Sequence, residues 1–366
     1  MKLNKIFSSI LAAALCALSL TGCGNGGSSS GSSNSSASSN DTSSSNADNS
    51  SVPASSSANE SKPDDVLTPP QPLNIRIAAL KGPTAMGLVK LMENNEQDSL
   101  GYTFEIKAAP DEISPMAAQG TADILCVPAN LASVLCNKTE GNVQAIAINT
   151  LGVLYICENG ESVGSIADLK GKTIYSAGKG STPEYALNFI LNSNGIDPEK
   201  DVTIEWKSEH TECLEAMLKG ENCVAMLPQP FVTTAQMKND AVRVALDLND
   251  EWDKLGVDSA LITGAAIVRT EFAKENPGAV SEFLSQYKES VKFVNDNVDE
   301  AAALIEKFDI IPANVAKKAI PNCHIVCIDS MEMYDKLSGY LQVLYDIDPK
   351  SVGGALPERS FYYGGE

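Results

Sequence analysis

From Leu73 onward, short apolar runs alternate with segments whose apolar residues recur every three or four positions. Leu73-Asn74-Ile75-Arg76-Ile77-Ala78-Ala79-Leu80 reads as a strand. Lys81-Gly82-Pro83-Thr84 breaks it, and Met86, Leu88, Val89 and Met92 then fall at helical spacing. Tyr102 to Ala108 predicts a second strand. Ala122-Asp123-Ile124-Leu125-Cys126-Val127 predicts a buried strand ended by Pro128, and Val143 to Ile148 and Val153 to Cys157 predict two more.

A second unit of the same kind starts near Ser165. Ser165-Ile166-Ala167-Asp168-Leu169-Lys170-Gly171 predicts a capped single turn of helix stopped by glycine. Lys172 to Ser176 is a short strand. In Gly178-Lys179-Gly180-Ser181-Thr182-Pro183-Glu184, Ser181 and Glu184 have capping-box spacing and Pro183 suits a first helical turn. That helix runs through Tyr185, Leu187, Phe189 and Ile190 to Asn194-Gly195. Asp201 to Trp206 is a strand, Glu212 to Leu218 a helix, and Cys223 to Leu227 a strand before Pro228-Gln229-Pro230. The last third turns helical. Asn276-Pro277 is a start signal, and Val280, Phe283, Leu284, Tyr287, Val291 and Val294 form one apolar face. Val298 to Phe308 gives a further helix. Strands alternating with helices point to an α/β fold with mainly parallel sheets.

The chain before Leu73 has no such pattern. Lys2 and Lys5 precede an apolar run from Ile6 to Leu18, too short for a helix to span a bilayer core of about 30 Å. It reads as a secretory signal covering residues 1–22. Leu20-Thr21-Gly22-Cys23 has the form of a bacterial lipobox, which places lipid on the Cys23 thiol and cleavage just before it. Two or more acyl chains give stable anchoring. Residues 23–72 are rich in Ser and Asn and then in Pro, and cannot bury enough apolar surface to offset the entropy of ordering. They are expected to form a linker.

Composition narrows the function classes. With 47 acidic and 27 basic residues, the chain carries net charge −20, which disfavours nucleic acid and anionic membrane surfaces as partners. Nine cysteines include Cys16 in the signal and Cys23 at the lipid site. The seven left form an odd set, against a complete disulfide framework, and most sit in apolar runs as small hydrophobes. Cys323-His324-Ile325-Val326-Cys327 has no second Cys/His group at metal-ligand spacing, so no metal site is expected, although a local disulfide stays open. No Ser/His/Asp spacing, P-loop or full dinucleotide fingerprint occurs. No cofactor and no catalytic residue are expected.

Four segments together carry a family resemblance. They are Gly120-Thr121-Ala122-Asp123-Ile124 running to Pro128-Ala129-Asn130-Leu131-Ala132; Leu169-Lys170-Gly171-Lys172-Thr173-Ile174 with the turn through Thr182-Pro183; Leu214 to Gly220 leading to Met226-Leu227-Pro228-Gln229-Pro230; and Phe272 to Pro277 with the helix after it. In this order, over Leu73 to Glu366, the chain resembles bacterial ABC-transporter solute-binding proteins of the nitrate/sulfonate/taurine and thiamine-pyrimidine-precursor type. The resemblance implies a two-lobe periplasmic-binding-protein-like fold of type II. Residues 73–154 and 260–366 would form lobe one and residues 155–259 lobe two. It implies a non-enzymatic function, the capture of a small organic or oxyanionic solute between the lobes for a membrane permease. The protein is then expected as a lipid-anchored monomer on the extracytoplasmic face of the cell membrane. A ligand-binding sensor or interaction module is the alternative, and an enzyme like the pyrimidine-synthesis relatives is a more distant one.

Within that architecture the ligand lies where strands end and helices begin. The candidate contacts are Lys81, Gly82, Pro83, Thr84 and Met86 after the first strand; Asn130 after Pro128; Asn149 and Thr150 near the hinge; Lys179, Gly180, Ser181 and Thr182 across the cleft; and Gln229. The N–H groups of the Gly178–Thr182 turn would suit a carboxylate, sulfonate or phosphate. The four arginines, Arg76, Arg243, Arg269 and Arg359, fall in none of these turns, so no bidentate clamp on an anion is evident.

Overall fold

Eleven strands organise the described residues, 73–364, of the structure, a computed structural model. The signal segment 1–22, Cys23, the linker 23–72 and the last two residues lie outside the described residues. The strands are β1 Ile75–Leu80, β2 Tyr102–Lys107, β3 Ile124–Pro128, β4 Val143–Leu151, β5 Leu154–Asn159, β6 Thr173–Ala177, β7 Thr203–Lys207, β8 Cys223–Pro228, β9 Val242–Asp247, β10 Ile262–Arg269 and β11 Ile325–Ile328. They form a six-stranded sheet ordered β11-β4-β10-β3-β1-β2 and a five-stranded sheet ordered β7-β6-β8-β5-β9. Helices flank both, giving the expected two-lobe α/β fold.

The sheets are mixed rather than mainly parallel. β1 is parallel to β2 and β3, and β6 to β7 and β8, whereas β10 is antiparallel to β3 and β4, and β5 to β8 and β9. The cause is connectivity. β4 passes through Gly152 and Val153 directly into β5, and residues 248–261 lead from β9 back to β10. A strand that enters a lobe from the cleft side must run against those that end there.

The buried pattern explains the central strands. All of Ile124, Leu125, Cys126 and Val127 are buried, because helices cover both faces of β3. Leu125 and Val127 pack to one side, Ile124 and Cys126 to the other. The helix Pro277–Asp296 buries Val280, Phe283, Tyr287, Val291 and Val294 on that second side, with Leu284 only part-buried. Each such large apolar side chain contributes about 1.5–3 kcal/mol when fully buried.

Local signals were met in part. The 3-10 turn Ile166–Leu169 has its capping box, with Gly164 N–H and Ser165 N–H both donating to Asp168. Ser181 and Glu184 do not form theirs. The Ser181 hydroxyl donates back to the Gly178 carbonyl at 2.6 Å, and the Glu184 carboxylate accepts the Gly180 N–H at 2.6 Å. All seven described cysteines are free, five of them buried. Among the described residues, no helix is long and apolar enough to cross a membrane.

Candidate functional site

The carboxyl ends of β3 and β8 face a cavity of about 440 Å³ between the two sheets' lobes. From the first lobe come Pro110, Pro128, Asn130, Leu131, Val134 and Thr263. From the second come Gly180, Ser181, Thr182, Pro183, His210 and Pro228, with Val153 and Leu154 at the crossing. Lys350 and Ser351, from the segment after the helix Ser330–Ile347, close one side. Each element places its residue for a local reason. Pro128 ends β3 and serves as N-cap, so the helix Ala129–Lys138 starts at the cavity and presents Asn130 and Leu131 in its first turn and Val134 one turn on. Pro183 lies in the first turn of Thr182–Ser193 and aligns Gly180 to Thr182 along the opposite wall.

A chain of long hydrogen bonds crosses the cleft. Thr182 Oγ1 donates to Asn130 Oδ1 at 3.3 Å, Tyr340 Oη donates to Thr182 Oγ1 at 3.4 Å, and Asn130 Nδ2 donates to the Ser351 carbonyl at 3.3 Å. These lengths lie beyond the usual O–H···O and N–H···O optima, so each link is weak. They are the kind of contact a solute could replace. At the crossing, Gly152 leaves no room for a side chain, since a Cβ there would lie 2.7 Å from Asn249 Oδ1 and 2.9 Å from Leu261 Cδ2. The His324 ring hydrogen-bonds the Gly152 carbonyl and ties the lobe-one strand β11 to this point.

His210 opens the helix His210–Leu218, and its ring lies 5.2 Å from the Phe231 ring. Burial pushes its pKa down to about 4, because desolvation disfavours the imidazolium. It therefore stands neutral at the cavity wall at physiological pH.

Of the residues expected from sequence, Asn130, Gly180, Ser181 and Thr182 line this cavity. The others lie elsewhere. Lys81 pairs with Asp309 at 3.1 Å. Gly82, at φ +115°, starts the short helix Pro83–Met86, where the Thr84 hydroxyl donates to the Leu80 carbonyl and Met86 is wholly buried. Asn149 and Thr150 are buried under Gly264 and hydrogen-bonded to each other at 3.1 Å. Lys179 faces a separate depression with Glu184 and Trp206. Gln229 is buried beside Pro228 and turns its carbonyl to the Thr233 hydroxyl at 2.9 Å. Among the lining residues that sequence reasoning missed are Pro110, Leu131, Val134, His210, Thr263, Lys350 and Ser351. Only Leu131 had a local signal, helical spacing after Pro128.

With this geometry in place, the comparisons decide the family. A family model described as "ABC transporter, phosphonate, periplasmic substrate-binding protein" matches residues 91–317. The chain belongs to that family. It is the substrate-binding component of an ABC transporter, and its place is extracytoplasmic. The family's members are transport binding proteins rather than enzymes. No curated protein matches the chain. Solved structures agree on the fold of this substrate-binding protein. An ABC transporter protein from Parabacteroides distasonis is 22% identical, covering 80% of this chain and 99% of that one, with TM-score 0.67. The periplasmic aliphatic sulphonate binding protein SsuA from Escherichia coli is 17% identical, covering 80% and 92%, with TM-score 0.63. The alkanesulfonate-binding protein SsuA from Xanthomonas axonopodis pv. citri, bound to MOPS, is 15% identical, covering 81% and 98%, with TM-score 0.58.

Proposed function

We propose that this substrate-binding protein captures a small organic or oxyanionic solute between its lobes and delivers it to an ABC permease. The cavity of about 440 Å³ lined from both lobes carries this reading. A solute touching both walls binds the closed arrangement better than the open one, and that differential drives closure. We take residues 73–154 and 260–366 as lobe one and 155–259 as lobe two, with the crossings at Gly152 and residues 248–261 as hinges. Capture and release need no covalent step. The protein acts as a monomer held by lipid on Cys23, a reading supported by the signal pattern around Leu20-Thr21-Gly22-Cys23.

Two experiments test this. A solute at 100 times its dissociation constant stabilises the fold by about 2.7 kcal/mol, which thermal-shift screening detects. Leu131 is a part-buried residue of the cavity wall, so Leu131→Trp fills the space it borders. Its expected effect is a loss of affinity of about 100-fold or more, about 2.7 kcal/mol, with the unliganded melting temperature little changed. Unaltered affinity in a folded Leu131→Trp protein would move the site elsewhere. Cys23→Ser is expected to shift the protein from the membrane fraction to the soluble one. Continued acyl labelling of that variant would refute the anchor.

A further inference from the structure

Resting on the cleft as the solute site, we infer that the solute it selects is uncharged and largely apolar rather than a phosphonate, sulfonate or other oxyanion. Three observations carry this. The first is the wall itself. Pro110, Pro128, Pro183 and Pro228 line the cavity, and proline has no backbone N–H to offer an anion. Leu131, Val134 and Leu154 add apolar surface between them.

The second is the state of the turn best suited to an anion. Gly180 N–H is taken by the Glu184 carboxylate at 2.6 Å, and Ser181 N–H by the Gly178 carbonyl at 3.1 Å. Pro183 in the first helical turn has no N–H. Glu184 thus already supplies negative charge to this helix end from within the chain, and of the N–H groups of Gly180, Ser181 and Thr182 only that of Thr182 has no acceptor within the chain, one donor rather than an anion cradle.

The third is the charge around the site. Among the described lining residues there is no arginine, and the single lysine, Lys350, is exposed at the rim. Its own backbone N–H donates to the Asp348 carboxylate at 3.0 Å. Glu209 directly precedes His210, and the His210 ring is itself neutral. A dianion entering a low-dielectric cleft needs compensating charge, and these residues supply none in the interior. What the walls offer is apolar contact, the flat His210 ring and a few neutral hydrogen-bonding groups on Asn130, Thr182 and Thr263. Those suit a compact amide, alcohol or heterocycle.

Calorimetric titration of the whole protein with pairs of isosteres that differ only in charge tests the inference. Suitable pairs are benzamide against benzoate, benzenesulfonamide against benzenesulfonate, and dimethyl methylphosphonate against methylphosphonate. The expected result is at least about tenfold tighter binding of the neutral member, lost in Leu131→Trp. Tighter binding of the anionic member, lost in Leu131→Trp, would keep the receptor function and overturn the uncharged class. A loss of about tenfold or more in Lys350→Ala would overturn it as well, by showing that the rim cation recognises charge. Saturation by no member of any pair, or binding indifferent to Leu131→Trp, would count against the cleft as the solute site, and the inference would fall with it.

Discussion

Replacing Asp123 with alanine is expected to lower the stability of the protein by about 3–5 kcal/mol, the usual cost of removing one partner from a buried ion pair. Asp123 has 3% of its side chain exposed and sits just before β3. Its carboxylate accepts Arg76 Nη2 at 2.6 Å and Arg76 Nε at 2.9 Å, and Arg269 Nη2 at 3.0 Å. Arg76 lies on β1, and Arg269 ends β10, more than a hundred residues away in the chain. One carboxylate therefore joins the two separate stretches that build the first sheet. In Asp123→Ala, Arg269 would stay largely buried beside Arg76 with only the exposed Glu271, at 3.2 Å, as an opposing charge. Burial alone would raise the Asp123 pKa, but the hydrogen bonds from Arg76 and Arg269 outweigh it and hold the group below the usual carboxylate range. The contribution is thus present above the unfolded value of about 4 and disappears as pH falls through the native value. Urea unfolding at pH 7 should show the full difference between the native chain and Asp123→Ala, and at pH near 3 a smaller one. An equal difference at both pH values would mean that the ion pair is not its source.

Glu158→Ala is expected to cost a similar amount, about 3–5 kcal/mol, in the second lobe. Glu158 is wholly buried on β5, opposite Arg243 of β9 in the antiparallel register. Its carboxylate accepts Arg243 Nη2 at 2.7 Å, the Ser162 N–H at 2.8 Å and the Val163 N–H at 3.1 Å, besides the Ser162 hydroxyl. Arg243 in turn donates to the carbonyls of Gly160 and Val163. Removing the carboxylate leaves the guanidinium without its counter-charge and two turn N–H groups without their acceptor. A double-mutant cycle with Arg243→Ala should return a coupling of about 1 kcal/mol or more. Additive losses would show that the two side chains act independently. Both residues lie outside the cleft lining, so any folded variant should bind solute with native affinity.

Much of the fold is local enough to read directly. The apolar run from Ile75 to Leu80, the period of 3.6 from Val280 to Val294 and the capping pair Ser165 and Asp168 act over a few residues, and the structure follows them. Several elements escaped this reading, among them the strands Val242–Asp247, Ile262–Arg269 and Ile325–Ile328, the helix Ser330–Ile347 and two helices next to the cleft. Pro110–Gln119 carries an internal proline, Pro115, that reads as a breaker, and Ala129–Lys138 leaves β3 without a linking loop. Tertiary packing overrides both signals by burying Ile113, Met116 and Ala117 of one helix and Ala129, Ala132 and Leu135 of the other.

By itself the sequence determined the α/β class, the order of the motifs that place the chain in its family, and the absence of an arginine clamp in the candidate turns. These depend on residue type and short spacing. The tertiary structure alone decided strand direction, because that follows from where the chain crosses between lobes. It also decided which turn donors stay free, since Glu184 competes for Gly180, and which distant residues share the cleft. Asn130 meets Thr182, 52 residues on, and the Ser351 carbonyl, 221 residues on. A binding site made of such contacts has no local spacing to betray it, because the chain entropy of bringing its parts together is offset by the packing of both lobes.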